Sequence, residues 1–204
     1  MTATTSRRGF LVAVGAGVAG LAGGAALGAA IADVDESAEP TAADVGFCTD
    51  MSTHHVQALT MCQRVLGRDT GDPVQAAAAE VLQTQAIEVG MMRAWLADWG
   101  ESTSSPTTVM AWMGMNDGAG MSAAMMPGLA TDDEMRALSS AEGMEQGRMW
   151  IELMRAHHVG GVDMAEAAVE LVRADKVRRL ARTQAEVQTF EIGQYDLLLS
   201  TVYA

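Results

Sequence analysis

Aromatic residues make up only 4% of the 204-residue chain, while helix-forming Ala, Leu, Met, Glu and Gln are abundant. Strands need β-branched and aromatic side chains to cover their faces, so this poverty argues against a sheet protein and for helices. Basic residues are scarce as well: 13 Lys and Arg stand against 26 Asp and Glu, a net charge of −13. Such a chain is repelled by nucleic acid and by anionic membrane surfaces, and nucleic acid is excluded as a partner. Cysteine is down to two residues, Cys48 and Cys62. They fall 14 positions apart on one predicted helix, about 21 Å along its axis. A disulfide needs Cα atoms within about 7 Å, so the pair is read as free thiols facing the core, or as one thiol offered to a metal.

What is present first is an export signature. Ser6-Arg7-Arg8-Gly9-Phe10-Leu11 resembles a twin-arginine signal, an uncharged Gly- and Ala-rich stretch follows, and Ala30-Ile31-Ala32 has the small-x-small form of a cleavage site. Residues 1–32 are therefore expected to be a signal peptide, or else an uncleaved anchor, and the body to work outside the cytoplasm. Cleavage would remove Arg7 and Arg8 and take the charge from −13 to −15. Residues 33–43, acidic and carrying Pro40, read as a flexible lead-in.

The body, 44–203, repeats itself. Met51-Ser52-Thr53-His54-His55 returns as Met154-Arg155-Ala156-His157-His158, an offset of 103 positions. The same offset carries Phe47 to Trp150, Met61 to Met164, Asp72 to Asp175, Gln85 to Gln188 and Glu88 to Glu191. An offset this constant means two copies of one unit, each a helical hairpin: repeat one over 44–99 and repeat two over 139–203. In repeat one, helices are expected from Asp44 to Leu66 and from Asp72 to Trp99, with Asp72 as N-cap and Pro73 opening the helix. In repeat two, Ser139-Ser140-Ala141-Glu142 has capping-box spacing and starts a helix reaching Ala174; Asp175 caps the last one, to Val202. Between the repeats lies a Gly-, Ser- and Met-rich linker, 100–130, then a short helix over 131–138 signalled by Thr131-Asp132-Asp133-Glu134.

At helical periodicity Met51, His54, His55, Met61 and Cys62 share one apolar arc of about 120°, and Met154, His157, His158 and Met164 repeat it. Glu88 and Glu191 lie on the apolar stripes of the second helices, with Gln85 and Gln188. A glutamate on such a stripe is costly unless paired, and a histidine of the same unit is the partner the repeat supplies. All four histidines of the protein sit in these two pairs. Thioethers and imidazoles together suit a soft ion, Cu(I) first; the competing reading is a methionine-rich core with histidines bonded to glutamates and no metal. Met110, Met113, Met115, Met121, Met125 and Met126 crowd the linker, either as auxiliary copper capture or as adaptable packing.

The pattern Asp44-x-x-Phe47-x-x-x-Met51-x-x-His54-His55-x-x-Ala58-x-x-Met61 with Gln85-x-x-Glu88-x-x-x-Met92, repeated as Leu153-Met154-x-x-His157-His158-x-Gly160 with Met164, resembles the bacterial family catalogued as domain of unknown function 305. Met126-Pro127-Gly128-Leu129 is similar to its central linker. The resemblance spans roughly 44–199 and implies an all-α, ferritin-like four-helix bundle of two tandem hairpins, an extracytoplasmic location and, for some members, copper binding or tolerance. The chain departs from it at Gln146-Gly147, where the family has Phe-Asp, and at Gly161, where it has alanine. These departures predict unequal halves, the second the weaker binder.

The functional expectation is an exported protein that binds, buffers or confers tolerance of copper through His54, His55, His157, His158, Met51, Met61, Met154 and Met164, with Glu88, Glu191, Gln85 and Gln188 behind them. The alternatives are a metal-free envelope module that binds another protein and a di-iron carboxylate oxidase. The oxidase needs Glu-x-x-His motifs, and no glutamate stands three positions before any histidine here. No nucleophile–base constellation stands out either, so the expected role is not enzymatic.

Overall fold

The computed structural model describes residues 39–204; the signal-segment reading, and all but the end of the lead-in, lie outside the described residues. The body is mostly helical. Its helices are α1 (Ala42–Val65), α2 (Asp72–Asp98), α3 (Asp132–Ser140), α4 (Gly143–Leu171) and α5 (Asp175–Thr201). None of the described helices is long and apolar enough to cross a membrane.

Helix starts differ from expectation for local reasons. α1 begins two residues early because Thr41 and Asp44 form a capping box: the Asp44 carboxylate accepts from the Thr41 N–H at 2.8 Å and the Thr41 hydroxyl accepts from the Asp44 N–H. Asp72 and Asp175 are not N-caps. Gly71 and Ala174 hold those places without side-chain caps, and the two aspartates sit in the first turns, where their charge meets the helix dipole. The box expected at Ser139 does not form. Both serines finish α3, bonding back to the carbonyls of Met135 and Arg136, and α4 starts at Gly143. The box at Thr131 does form. The Gly-, Ser- and Met-rich linker contains a two-stranded antiparallel ribbon, β1 (Thr108–Val109) and β2 (Met121–Ser122), with Thr108 opposite Ser122.

α1 pairs with α2, α4 with α5, and α1 packs on α4, while α2 and α5 scarcely touch. The repeat explains this layout. Phe47, Cys48, Met51, His54, His55, Ala58, Met61, Cys62 and Val65 are buried on α1; their counterparts 103 positions on, Trp150, Ile151, Met154, His157, His158, Gly161, Met164, Ala165 and Ala168, are buried on α4. Two equal stripes facing each other about a pseudo-two-fold axis bury both at once. Fully burying one such methionine contributes about 1.5–3 kcal/mol.

The symmetry fails where the linker crosses α1. Asp50, His54 and Gln57, one turn apart, hold it. The Asp50 carboxylate accepts from the Met110 N–H at 2.6 Å and the Trp112 indole at 2.9 Å. Gln57 exchanges two hydrogen bonds with Ala130, at 2.8 and 2.7 Å. On α4, Gly160 lets the Pro127 carbonyl approach: a Cβ there would stand 2.1 Å from that oxygen.

Candidate metal centre

The four histidines are fully buried at the middle of the bundle. His54 and His157 meet across the axis, their ring centroids 3.7 Å apart and tilted by 31°. The His157 Nε2 donates to the His54 carbonyl at 2.9 Å, and the His54 Nε2 donates to the Pro127 carbonyl at 3.3 Å. His55 and His158 turn toward α2 and α5 instead, where Nε2 donates to the carboxylates of Glu88 at 2.7 Å and Glu191 at 2.6 Å. The sequence reading of histidine–glutamate pairing within each repeat is therefore the observed one.

One rule covers all four rings. Every Nε2 faces an oxygen, so every Nε2 carries the proton it donates. Every Nδ1 is buried and has no hydrogen-bond partner. Buried polar atoms are rarely left so, and each costs about 1–3 kcal/mol. Burial, with the neighbouring histidines adding to it, holds His54 and His157 well below the usual imidazole range. Both are therefore neutral, and their Nδ1 atoms offer lone pairs into the core. A committed Nε2–H with a free Nδ1 is the state in which an imidazole binds a metal. On this test the residues fit a metal ion.

The methionines are distributed across the repeats rather than within them. Met51 and Met164 belong to one apolar cluster, with Met92, Met110 and Met126; Met61 and Met154 belong to the other, with Trp150 and Tyr195. Each apolar cluster thus draws one of these four methionines from each repeat. Both thiols are free and buried, and burial pushes Cys62 up to about 12 and Cys48 higher still, so neither is a thiolate at neutral pH. Among the described residues no group of three or more His, Cys, Asp and Glu side chains gathers as a metal cage. An ion here would need thioether ligands.

Of the linker methionines, Met110 and Met126 are buried, and Met113, Met115 and Met121 are packed against the first cluster; Met125 alone is largely exposed, at 72%. Among the described residues no hydrogen bond joins Gln85 or Gln188 to a histidine. They line a cleft of about 10 Å³ between α2 and α5 with Glu88, Gln184 and Glu191. Gln184, missed from the sequence, donates to the Glu88 carboxylate at 3.1 Å. It stands four residues before Gln188 on the same stripe, and that spacing was the available signal; its repeat counterpart, Val81, hid it.

The departures have structural causes. The Asp44 carboxylate accepts from the Arg173 and Ala174 N–H groups at 3.0 and 2.8 Å, tying α1 to the α4–α5 turn. Its counterpart Gly147 packs on Thr70, in the α2 approach, where Tyr203 donates to the Thr70 carbonyl at 2.6 Å. Gly161 leaves room for the Gln188 amide.

The family described as Domain of unknown function (DUF305) matches residues 44–199. Among solved structures, a Streptomyces coelicolor DUF305 protein described as secreted is 40% identical, with a TM-score of 0.71 over 78% of this chain and 92% of that one. A DUF305 fragment from Deinococcus radiodurans is 28% identical, with a TM-score of 0.66 over 80% and 99%. CopM in its Cu(I)-bound form is 20% identical, with a TM-score of 0.62 over 79% and 98%, a likeness of fold. No curated protein matches the chain.

Proposed function

The chain belongs to the DUF305 family, and from that membership and the histidine core we propose that it is an exported copper-binding protein that buffers the ion or confers tolerance of it. The observation that carries this reading is the set of four buried, unpartnered Nδ1 atoms in a core whose stripes also bury Met51, Met61, Met154 and Met164 fully. His54 and His157 are the primary ligands, with Met51, Met164, Met61 and Met154 around them. His55 and His158 stand behind, oriented by Glu88 and Glu191. A neutral imidazole–thioether set favours Cu(I), needs no thiolate and keeps working in an oxidising or acidic compartment. CopM, which shares the fold, has been solved with Cu(I), Cu(II) and silver bound, and the relative described as secreted supports export.

The role is binding, with no catalytic step assigned. Auxiliary capture by the linker falls to Met125, the one of its six methionines that stands largely exposed. A metal-free envelope module is the second reading, favoured by the hydrogen bond that every histidine Nε2 already makes. Metal analysis of protein isolated from its own cell envelope, with no metal added, separates the two. Copper near stoichiometric supports the first; metal-free protein from copper-replete cells supports the second.

A further inference from the structure

The histidines have linker backbone on one side and, behind the glutamates that hold two of them, a small polar cleft on the other. On the linker side, backbone closes them in: the Pro127 carbonyl lies on His54 and against Gly160, and Gln57 clamps Ala130 twice. On the α2–α5 side the helices scarcely touch, and the cleft between them reaches the glutamates that hold His55 and His158.

This cleft is oversupplied with acceptors. The Oε1 atoms of Gln85, Gln184 and Gln188 are buried without a partner, and the Gln188 Nε2 is unpartnered too. The three residues are 4%, 1% and 3% exposed. Glu88 and Glu191 add two carboxylates. Unfilled amide oxygens beside carboxylates attract a cation. A volume of about 10 Å³ admits about one water, so an ion passing here sheds most of its hydration shell and takes protein oxygens in its place. Oxygen ligands hold a soft ion weakly, which suits passage and not storage. The rim is formed by Thr84 and Val187, counterparts in the repeat and both half-buried.

We propose that the cleft on the pseudo-two-fold axis between α2 and α5, lined by Gln85, Glu88, Gln184, Gln188 and Glu191, is the port through which a copper ion reaches the buried histidines, carried by oxygen ligands on its way. The port rests on the copper reading above. An ion on either glutamate is next to the imidazole whose Nε2–H that carboxylate accepts; turning the ring breaks this hydrogen bond and presents the unpartnered Nδ1, with the His54 or His157 ring 6.2 Å further in. The cleft lies on the axis and therefore serves both repeats.

The test is the rate at which the metal-free full chain takes Cu(I) from its bicinchoninate complex, followed by stopped-flow loss of the chelator colour. Val187→Phe plugs the rim without touching a hydrogen bond, and Ala124→Phe adds the same ring to the exposed linker side. Gln85→Leu/Gln188→Leu removes the amide oxygens. Val187→Phe and the double variant should load about tenfold more slowly, about 1.4 kcal/mol on the barrier, and Val187→Phe should still reach the wild-type amount bound. Ala124→Phe should load at the wild-type rate. Wild-type rates in both cleft variants, or slowing by Ala124→Phe alone, would overturn the port and leave copper binding standing. A wild-type chain that takes up no Cu(I) overturns both.

Discussion

His54 and His157 stand 103 residues apart, yet their imidazoles stack at 3.7 Å in the centre of the bundle, each with its Nε2 proton given to a backbone carbonyl and its Nδ1 unpartnered. Two rings this close cannot both be charged in an apolar core without strong repulsion, and burial already disfavours charging either.

That relationship predicts a pH dependence. In the unfolded chain both imidazoles titrate near the ordinary value of 6.5; in the fold both lie well below it. Above that value neither state binds the protons and stability is complete. As pH falls through it, the unfolded chain takes up protons that the native core refuses, so stability declines, by up to about 1.4 kcal/mol per pH unit for each ring. Urea melts of the metal-free protein between pH 7.5 and 5 should show this slope, and His54→Phe/His157→Phe should flatten it. Equal slopes in the two proteins would show that the stacked pair does not refuse protons.

One carboxylate, Asp50, ties the first part of the linker to α1. Asp50→Ala leaves the Met110 N–H and the Trp112 indole without their acceptor. The expected loss is about 3 kcal/mol, since hydrogen bonds to a charged group contribute about 1.5–3 kcal/mol each, and limited proteolysis should cut faster between residues 108 and 125. Unchanged melting and unchanged cleavage would remove Asp50 from that role.

Two helical glycines should respond oppositely to alanine. A Cβ on Gly147 would meet the Thr70 carbonyl at 2.5 Å and the Tyr203 ring at 2.7 Å, one of them backbone. Gly147→Ala should therefore destabilise, by about 1–3 kcal/mol. A Cβ on Gly161 meets only the end of the Gln188 side chain, at 2.2 Å. That amide can turn away, and alanine in a helix interior is favoured by up to about 1 kcal/mol, so Gly161→Ala should be neutral or stabilising. Thermal melts read both. Gly147 packs on a turn and not on the histidines; a Gly147→Ala protein that folds but binds less copper would return it to the metal site.

The sequence was most informative where the repeat spoke. The offset of 103 placed both hairpins, both histidine pairs and both glutamates, because the same stripe had to be buried twice. It was least informative where symmetry breaks. Nothing in the sequence marks out Asp50 and Gln57, because only the linker crossing α1 gives them partners. The ribbon at Thr108–Val109 and Met121–Ser122 is too short to leave a periodic signal. The pairing of Met51 with Met164, and of Met61 with Met154, in shared clusters follows from α1 packing on α4, which no local pattern encodes. Ser139 had the spacing of a cap but lay inside the preceding helix, where its hydroxyl bonds back to Met135.

The claim that the histidine core binds copper is tested most directly by thermal melting of the metal-free protein with and without Cu(I), alongside His54→Ala and His157→Ala. An ion that binds only the folded state stabilises it, by about 2.7 kcal/mol at a free concentration one hundred times the dissociation constant. The wild-type melt should therefore rise with Cu(I), and each alanine variant should lose most of the rise, because the two rings come from opposite repeats and meet at one place. A wild-type melt that does not move at concentrations well above micromolar, or a rise that survives both substitutions, would contradict the account.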